Sequence, residues 1–162
     1  MGITLDGIAK GYIVDRAAEI LSRHGIGNHL INAGGDIRTS GAAAKGKPWT
    51  IAVQDPAKGR EYPAVITMTS GAIATSGNYE VFYDNEKMFH HIIDSRTGYS
   101  PEQTTSVTVQ APTVMDADAL STSVFVMAPA GGIAFINGRP GCECFVVENS
   151  GATHRSTGWQ AA

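Results

Sequence analysis

The sequence predicts an α+β fold, a largely antiparallel sheet packed with two or three helices. Two observations carry this expectation. Short runs rich in β-branched residues, such as Thr104 to Gln110, are separated by tight-turn signals such as Gly34-Gly35. Helical spacing of apolar residues is confined to the start of the chain and to the stretches after Pro112. A third observation bears on organisation. The 162 residues contain no internal repeat and no linker, and are enough for one domain with a substantial core.

Taken in order, Asp6-Gly7-Ile8-Ala9-Lys10-Gly11 opens a helix expected to reach about Ser22, with Asp6 as N-cap and Ile8, Tyr12, Ala17, Ile20 and Leu21 at helical spacing. Gly7 and Gly11 admit two readings, close helix packing or a ligand approaching the backbone where free N–H groups accept phosphate. Lys10 likewise is either solvated or a ligand contact. His29 to Ala33, Gly34-Gly35 and Asp36 to Thr39 read as strand, two-residue turn and strand. Turn chemistry is enough to account for Asp36. Trp49 to Val53, Ala64 to Met68 and Ala72 to Thr75 are further strands. Ser76-Gly77-Asn78-Tyr79 is a polar loop at a strand end, where binding residues concentrate.

Lys87 to Asp94 reads as a strand whose adjacent His90 and His91 face opposite sides, one toward a pocket and one toward solvent. Asp94 to Tyr99 is a turn that Asp94 could close through its own backbone. Thr113 and Asp116 resemble a capping box that starts a helix, with Ala119, Leu120, Ser123, Val124 and Met127 as its buried stripe. Capping occupies Asp116 and leaves Asp118 the freer carboxylate. Asp118 and Thr122, four residues apart, present oxygens to one point in space. Such donors suit a hard cation such as Mg²⁺, and so does an ordinary solvated helix face. A short helix from Ala130 to Asn137 and strands Cys142 to Glu148 and Ala152 to Ser156 complete the chain. Cys142 and Cys144 match neither a redox nor a zinc motif and read as buried structural thiols.

Composition excludes several classes. A net charge of −3 with scattered basic residues leaves no nucleic-acid footprint. At 43% hydrophobic and 17% charged residues, the chain is expected to be soluble and globular. No apolar run reaches the ~18 residues a membrane span requires. No signal peptide is visible, since Met1-Gly2 leads directly into the first motif.

Five motifs taken together resemble the ApbE family, the FAD:protein FMN transferases. They are Leu5 to Tyr12, Asn32-Ala33-Gly34-Gly35-Asp36-Ile37, Ala74-Thr75-Ser76-Gly77-Asn78-Tyr79, His91 to Asp94 with Arg96-Thr97-Gly98, and Ala117 to Thr122. The match is to the C-terminal portion of the family, whose usual members carry a long N-terminal segment before the Asp6-Gly7 region. The resemblance implies an ApbE-like (T-fold-like) single domain over residues 1–162 without that segment. It also implies a periplasmic or membrane-associated setting.

The reaction it implies splits FAD at its pyrophosphate and passes FMN, through its phosphate, to a threonine hydroxyl of a target flavoprotein, releasing AMP. Mg²⁺ is required. By motif, Asp118 and Thr122 supply metal oxygens and Gly7 adds its carbonyl. Lys10 and the Ile92 backbone fall where the family contacts FAD, and Ser76 lies in the adjoining binding loop. Thr4 stands where many members have an FAD-contacting Asp, with Asp6 two residues later. His91 is the candidate general base at the acceptor hydroxyl.

The chemistry is consistent with that assignment. A cation bridging the phosphates neutralises charge developing in the transition state, and Lys10 would add a second positive charge. Imidazole, as a class, suits proton transfer near neutral pH. Two alternatives use the same residues: hydrolysis of FAD to FMN and AMP, or a flavin-binding module without catalysis.

Overall fold

A computed structural model describes residues 4–56, 62–79, 81–84 and 89–160. In chain order it runs α1 (Asp6–Arg23), β1 (His29–Ala33), β2 (Asp36–Ser40), a 3-10 turn (Ala44–Gly46), β3 (Trp49–Ala52) and β4 (Val65–Met68). There follow β5 (Gly71–Gly77), β6 (Thr104–Ala111), α2 (Val114–Phe125), α3 (Pro129–Asn137), β7 (Glu143–Glu148) and β8 (Thr153–Arg155). Six strands form one sheet in the order β1-β2-β5-β6-β7-β8, and β3 and β4 form a separate pair. Among the described residues every strand pairing is antiparallel. The expected α+β architecture is the one observed.

The sheet is covered on both faces. On one side Val107, Val109 and Val146 pack with Ala117, Val124 and Phe125 of α2 and Ile136 of α3. On the other, Ile37, Ile73 and Phe145 meet Ile51 and Ile66 of the β3–β4 pair and Trp159. Alternation along the strands sends successive side chains to these two cores. Gly34 and Gly35, at φ 63° and 98°, close the β1–β2 hairpin in the positive-φ conformation that a two-residue turn requires.

Several local expectations need correction. Asp6 is the first helical residue rather than the N-cap. Leu5 holds that position without a side-chain bond, and Asp6 complements the helix dipole from within the first turn. The buried residues of α1 are Gly11, Val14 and Ala18, while Tyr12 and Ile20 of the expected stripe are exposed. In α2 the buried residues are Val114, Ala117, Asp118, Ser121, Val124 and Phe125. That stripe is rotated from the expected one because α2 packs on β5 and β6 of the sheet and α1 covers its flank. His90 to Asp94 forms isolated bridges, Phe82 with His90 and Asp94 with Tyr99, rather than a strand. Residues 87 and 88 lie outside the described residues.

Thr113 is the N-cap of α2 as read, its hydroxyl accepting the Asp116 amide at 3.0 Å. That hydroxyl donates in turn to the Asp116 carboxylate at 2.6 Å. A second cap comes from α1. Asp15 accepts the Val114 amide at 3.0 Å and the Met115 amide at 2.9 Å, so the first two helical N–H groups are satisfied by a carboxylate from another element. The two cysteines are free and buried, and burial raises both thiols, Cys144 to about 11.

Candidate active site

The close approach of α1 to α2 depends on Gly11. A Cβ at that position would lie 2.5 Å from the Val114 carbonyl oxygen and 2.8 Å from Met115 Cα, both backbone atoms. Packing therefore accounts for Gly11. Gly7 is different, since a Cβ there would meet nothing within 4 Å. The contact brings the Gly11 amide to Asp118 Oδ2 at 3.0 Å. Asp118 is consequently buried and oriented by α1, not carried on a solvated face.

One turn further along α2, three hydroxyls form a cluster. Ser76 Oγ lies 2.8 Å from Ser121 Oγ and 3.0 Å from Thr122 Oγ1, and Ser121 Oγ donates to the Asp118 carbonyl at 3.0 Å. Ser76 belongs to β5, paired with Val107, and not to a loop as read from sequence. It links the sheet to the helix that bears Asp118 and Thr122.

The histidine pair divides its roles. His90 is buried edge-to-face against Phe125, with ring centroids 5.5 Å apart, and its Nε2 lies 3.1 Å from the Pro101 carbonyl. Burial lowers its pKa, which favours the neutral ring. Its Nδ1 accepts the Ile92 amide at 3.3 Å. His91 is exposed, with its Nδ1 3.4 Å from the Val81 carbonyl. The segment is anchored by Asp94, whose carboxylate takes a fork of bonds from Arg96 at 2.7 and 2.9 Å. Arg96 reaches on to the Val126 carbonyl at the end of α2.

A cavity of about 820 Å³ opens where these elements meet. All eight residues singled out from sequence line it: Thr4, Gly7, Lys10, Ser76, His91, Ile92, Asp118 and Thr122. Asp6, Asn32 and the Gly34-Gly35 turn line it as well. Its volume is within the range of sites that enclose small organic ligands.

Sequence reasoning passed over Asp36. This residue is 1% exposed, and neither of its carboxylate oxygens receives an aligned hydrogen bond. The Lys10 ammonium lies 3.2 Å from Oδ1, and Lys10 also reaches the Gly34 carbonyl at 3.5 Å. Burial, and then the neighbouring Asp118 carboxylate, raise the Asp36 pKa to about 6 against the opposing pull of Lys10. The signal available in the sequence was its place directly after Gly34-Gly35, but turn chemistry explained it equally well.

The donor set is one of hard oxygens: the Asp118 carboxylate, the Thr122 hydroxyl and the backbone near Gly7, with a second buried carboxylate close by. Among the described residues no group of three or more His, Cys, Asp or Glu is arranged to hold a metal ion. That excludes a closed site of the structural-zinc type among them. The Asp118 carboxylate and Thr122 hydroxyl that line the cavity are oxygens of the kind a hard cation takes, with water or phosphate filling its shell.

Comparison with known proteins places this geometry in a family. Residues 1–146 match the model of the ApbE family. The chain belongs to the ApbE family. It is 42% identical over 129 residues to a protein of Haemophilus influenzae named FAD:protein FMN transferase, a match that covers 77% of this chain and 37% of that one. A protein of the same name from Treponema pallidum is 33% identical over 159 residues, covering 91% and 44% respectively.

The crystal structure of the ApbE protein from Thermotoga maritima superposes with a TM-score of 0.88 at 39% identity, over 96% of this chain and 51% of that one. The flavin transferase ApbE from Vibrio cholerae gives 0.81 at 33% identity, over 96% and 50%. The chain thus spans about half the length, or less, of the relatives it matches. Among the described residues no helix is long and apolar enough to cross a membrane.

Proposed function

We propose that this chain carries the metal- and diphosphate-binding portion of an FAD:protein FMN transferase, which moves FMN from FAD to a threonine of a target flavoprotein. The observation that carries this reading is the convergence of Thr4, Gly7, Lys10, Ser76, His91, Ile92, Asp118 and Thr122 on one cavity. They come from separate stretches of the chain, and most of the sequence lies between Gly7 and Asp118.

The residues divide the work by chemistry. Asp118, Thr122 and the Gly7 carbonyl would hold Mg²⁺, which when bound supplies positive charge at the diphosphate. The Gly11 amide fixes one oxygen of Asp118 and leaves the other for the cation side. Ser76 orients the Thr122 hydroxyl through their 3.0 Å contact. Lys10, which lines the same cavity, contributes a cation there. Thr4 and Asp6, both at the cavity, share the region that an Asp serves in many members, and the Ile92 backbone borders the flavin-nucleotide space. His91, exposed and on the cavity wall, is the group able to accept the proton of an incoming hydroxyl.

The test is to incubate the chain with FAD, Mg²⁺ and an acceptor protein carrying a threonine flavinylation site, and to follow both covalent FMN and AMP. The expected result is an FMN adduct that disappears in Asp118→Ala. AMP release without an adduct would replace transfer by hydrolysis. FAD binding without turnover would reduce the chain to a flavin-binding module.

A further inference from the structure

Asp36 is a costly residue in its place. A carboxylate buried without aligned donors is strongly disfavoured, whereas Asn or Ser would serve the position after the Gly34-Gly35 turn equally well. Its charged neighbours come from two elements, Lys10 from α1 and Asp118 from α2. The three form one cluster, yet the partners are assigned. Among the described residues Lys10 pairs with Asp36 and with the Gly34 carbonyl, while Asp118 takes its bond from the Gly11 amide. Lys10 is half exposed, and among the described residues it is these hairpin contacts that hold its ammonium.

We propose that Asp36 is a positioning residue that keeps the Lys10 ammonium on the β1–β2 hairpin and off Asp118, leaving the Asp118 carboxylate open to a divalent cation. This rests on the reading of Asp118 as a cation ligand. An ammonium is a point charge that pairs with whichever carboxylate it reaches. With the charge of Asp36 removed, Asp118 is the buried carboxylate remaining in the cluster, since Asp6, one turn before Lys10 on α1, is exposed to solvent. A lysine paired there competes directly with the cation for the same oxygens.

The experiment measures Mn²⁺ alone, without nucleotide, by loss of the free-ion paramagnetic resonance signal at pH 8. The proteins are the unaltered chain, Asp36→Asn, Lys10→Met and the double variant, with thermal unfolding recorded for each. Asp36→Asn is expected to weaken Mn²⁺ binding about tenfold or more, the scale on which one adjacent opposite charge shifts an ionic equilibrium. Lys10→Met is expected to recover most of that loss in the Asp36→Asn background, and to change affinity much less in the unaltered chain.

Equal effects of Lys10→Met in both backgrounds would mean simple through-space charge and overturn the proposal. A loss in Asp36→Asn that Lys10→Met does not recover would make Asp36 a cation ligand itself and overturn it too. No loss in Asp36→Asn has the same consequence. If Asp118→Ala and the unaltered chain bind Mn²⁺ alike, the cation reading of Asp118 fails first, and that result is distinct from the others. Asp36→Ser replaces Asp36→Asn should the latter unfold.

Discussion

The Gly11 amide and the Asp118 carboxylate meet at 3.0 Å although 107 residues separate them. This bond joins the first helix to the helix that carries Asp118 and Thr122, and it forms only because no side chain stands between them. The neighbouring bonds from Asp15 to the Val114 and Met115 amides hold the same junction. Site and scaffold are thus one contact seen from two sides.

Replacing Gly11 by Ala puts a methyl group 2.5 Å from a backbone oxygen that cannot turn away. The helices must separate, at a cost of about 1–3 kcal/mol for overpacking. Chemical denaturation is expected to show that loss, and Mn²⁺ affinity to fall with it because Asp118 loses its orienting donor. A Gly11→Ala chain as stable as the unaltered one, with unchanged Mn²⁺ binding, would show that the junction tolerates separation.

Ser76 acts on Thr122 through their shared hydrogen bond. Thr122→Val removes the oxygen itself, whereas Ser76→Ala leaves it in place but free to rotate. The expected order of Mg²⁺ requirement in the FMN-transfer assay is therefore unaltered chain, then Ser76→Ala, then Thr122→Val, with Thr122→Ser close to the first. The concentration of Mg²⁺ giving half-maximal rate is the quantity to compare. Finding Ser76→Ala more impaired than Thr122→Val would make Ser76, not Thr122, the principal oxygen.

Cys144 is fully buried, and burial, followed by the nearby Glu143 charge, pushes its thiol up to about 11 from the usual 9.0. Because the folded value lies above the unfolded one, the contribution of this thiol to stability is complete below pH 9. It is lost as the pH rises through about 11, with a slope of up to about 1.4 kcal/mol per pH unit. Native protein is expected to resist alkylation at pH 8. Its unfolding free energy should fall between pH 9 and 11 more steeply than that of Cys144→Ala. Parallel pH slopes for the two proteins would contradict the burial argument.

Much of this was legible in order along the chain, because strands and caps are local. The Gly34-Gly35 hairpin, the Thr113 cap and the β-branched run of β6 each follow from neighbouring residues alone. Family motifs added which residues to watch. The burial of α1 and α2 was not legible in the same way. Tyr12 and Ile20 are apolar and helical in spacing, yet they are exposed, because the side of α1 that packs is the side with the small residues Gly11 and Ala18. Close approach selects absence of side chain, and hydrophobic periodicity carries no signal for that.

His90 and Asp36 show the same limit among polar residues. Strand alternation alone did not say which of the adjacent histidines faces the pocket, and the motif resemblance picked His91; in the structure Phe125 and Pro101 enclose His90 and His91 lies at the cavity. Asp36 looked like a turn residue until Lys10 and Asp118 arrived beside it from two helices. By itself the sequence determined most of the helices and strands, the hairpin, the cap on α2 and the family, but not the strand expected at Lys87 to Asp94. Only the tertiary structure decided which carboxylate is oriented, which is buried with a lysine, and which histidine is enclosed. Those properties depend on burial and on charges brought together across the chain, and neither is a property of any local stretch of residues.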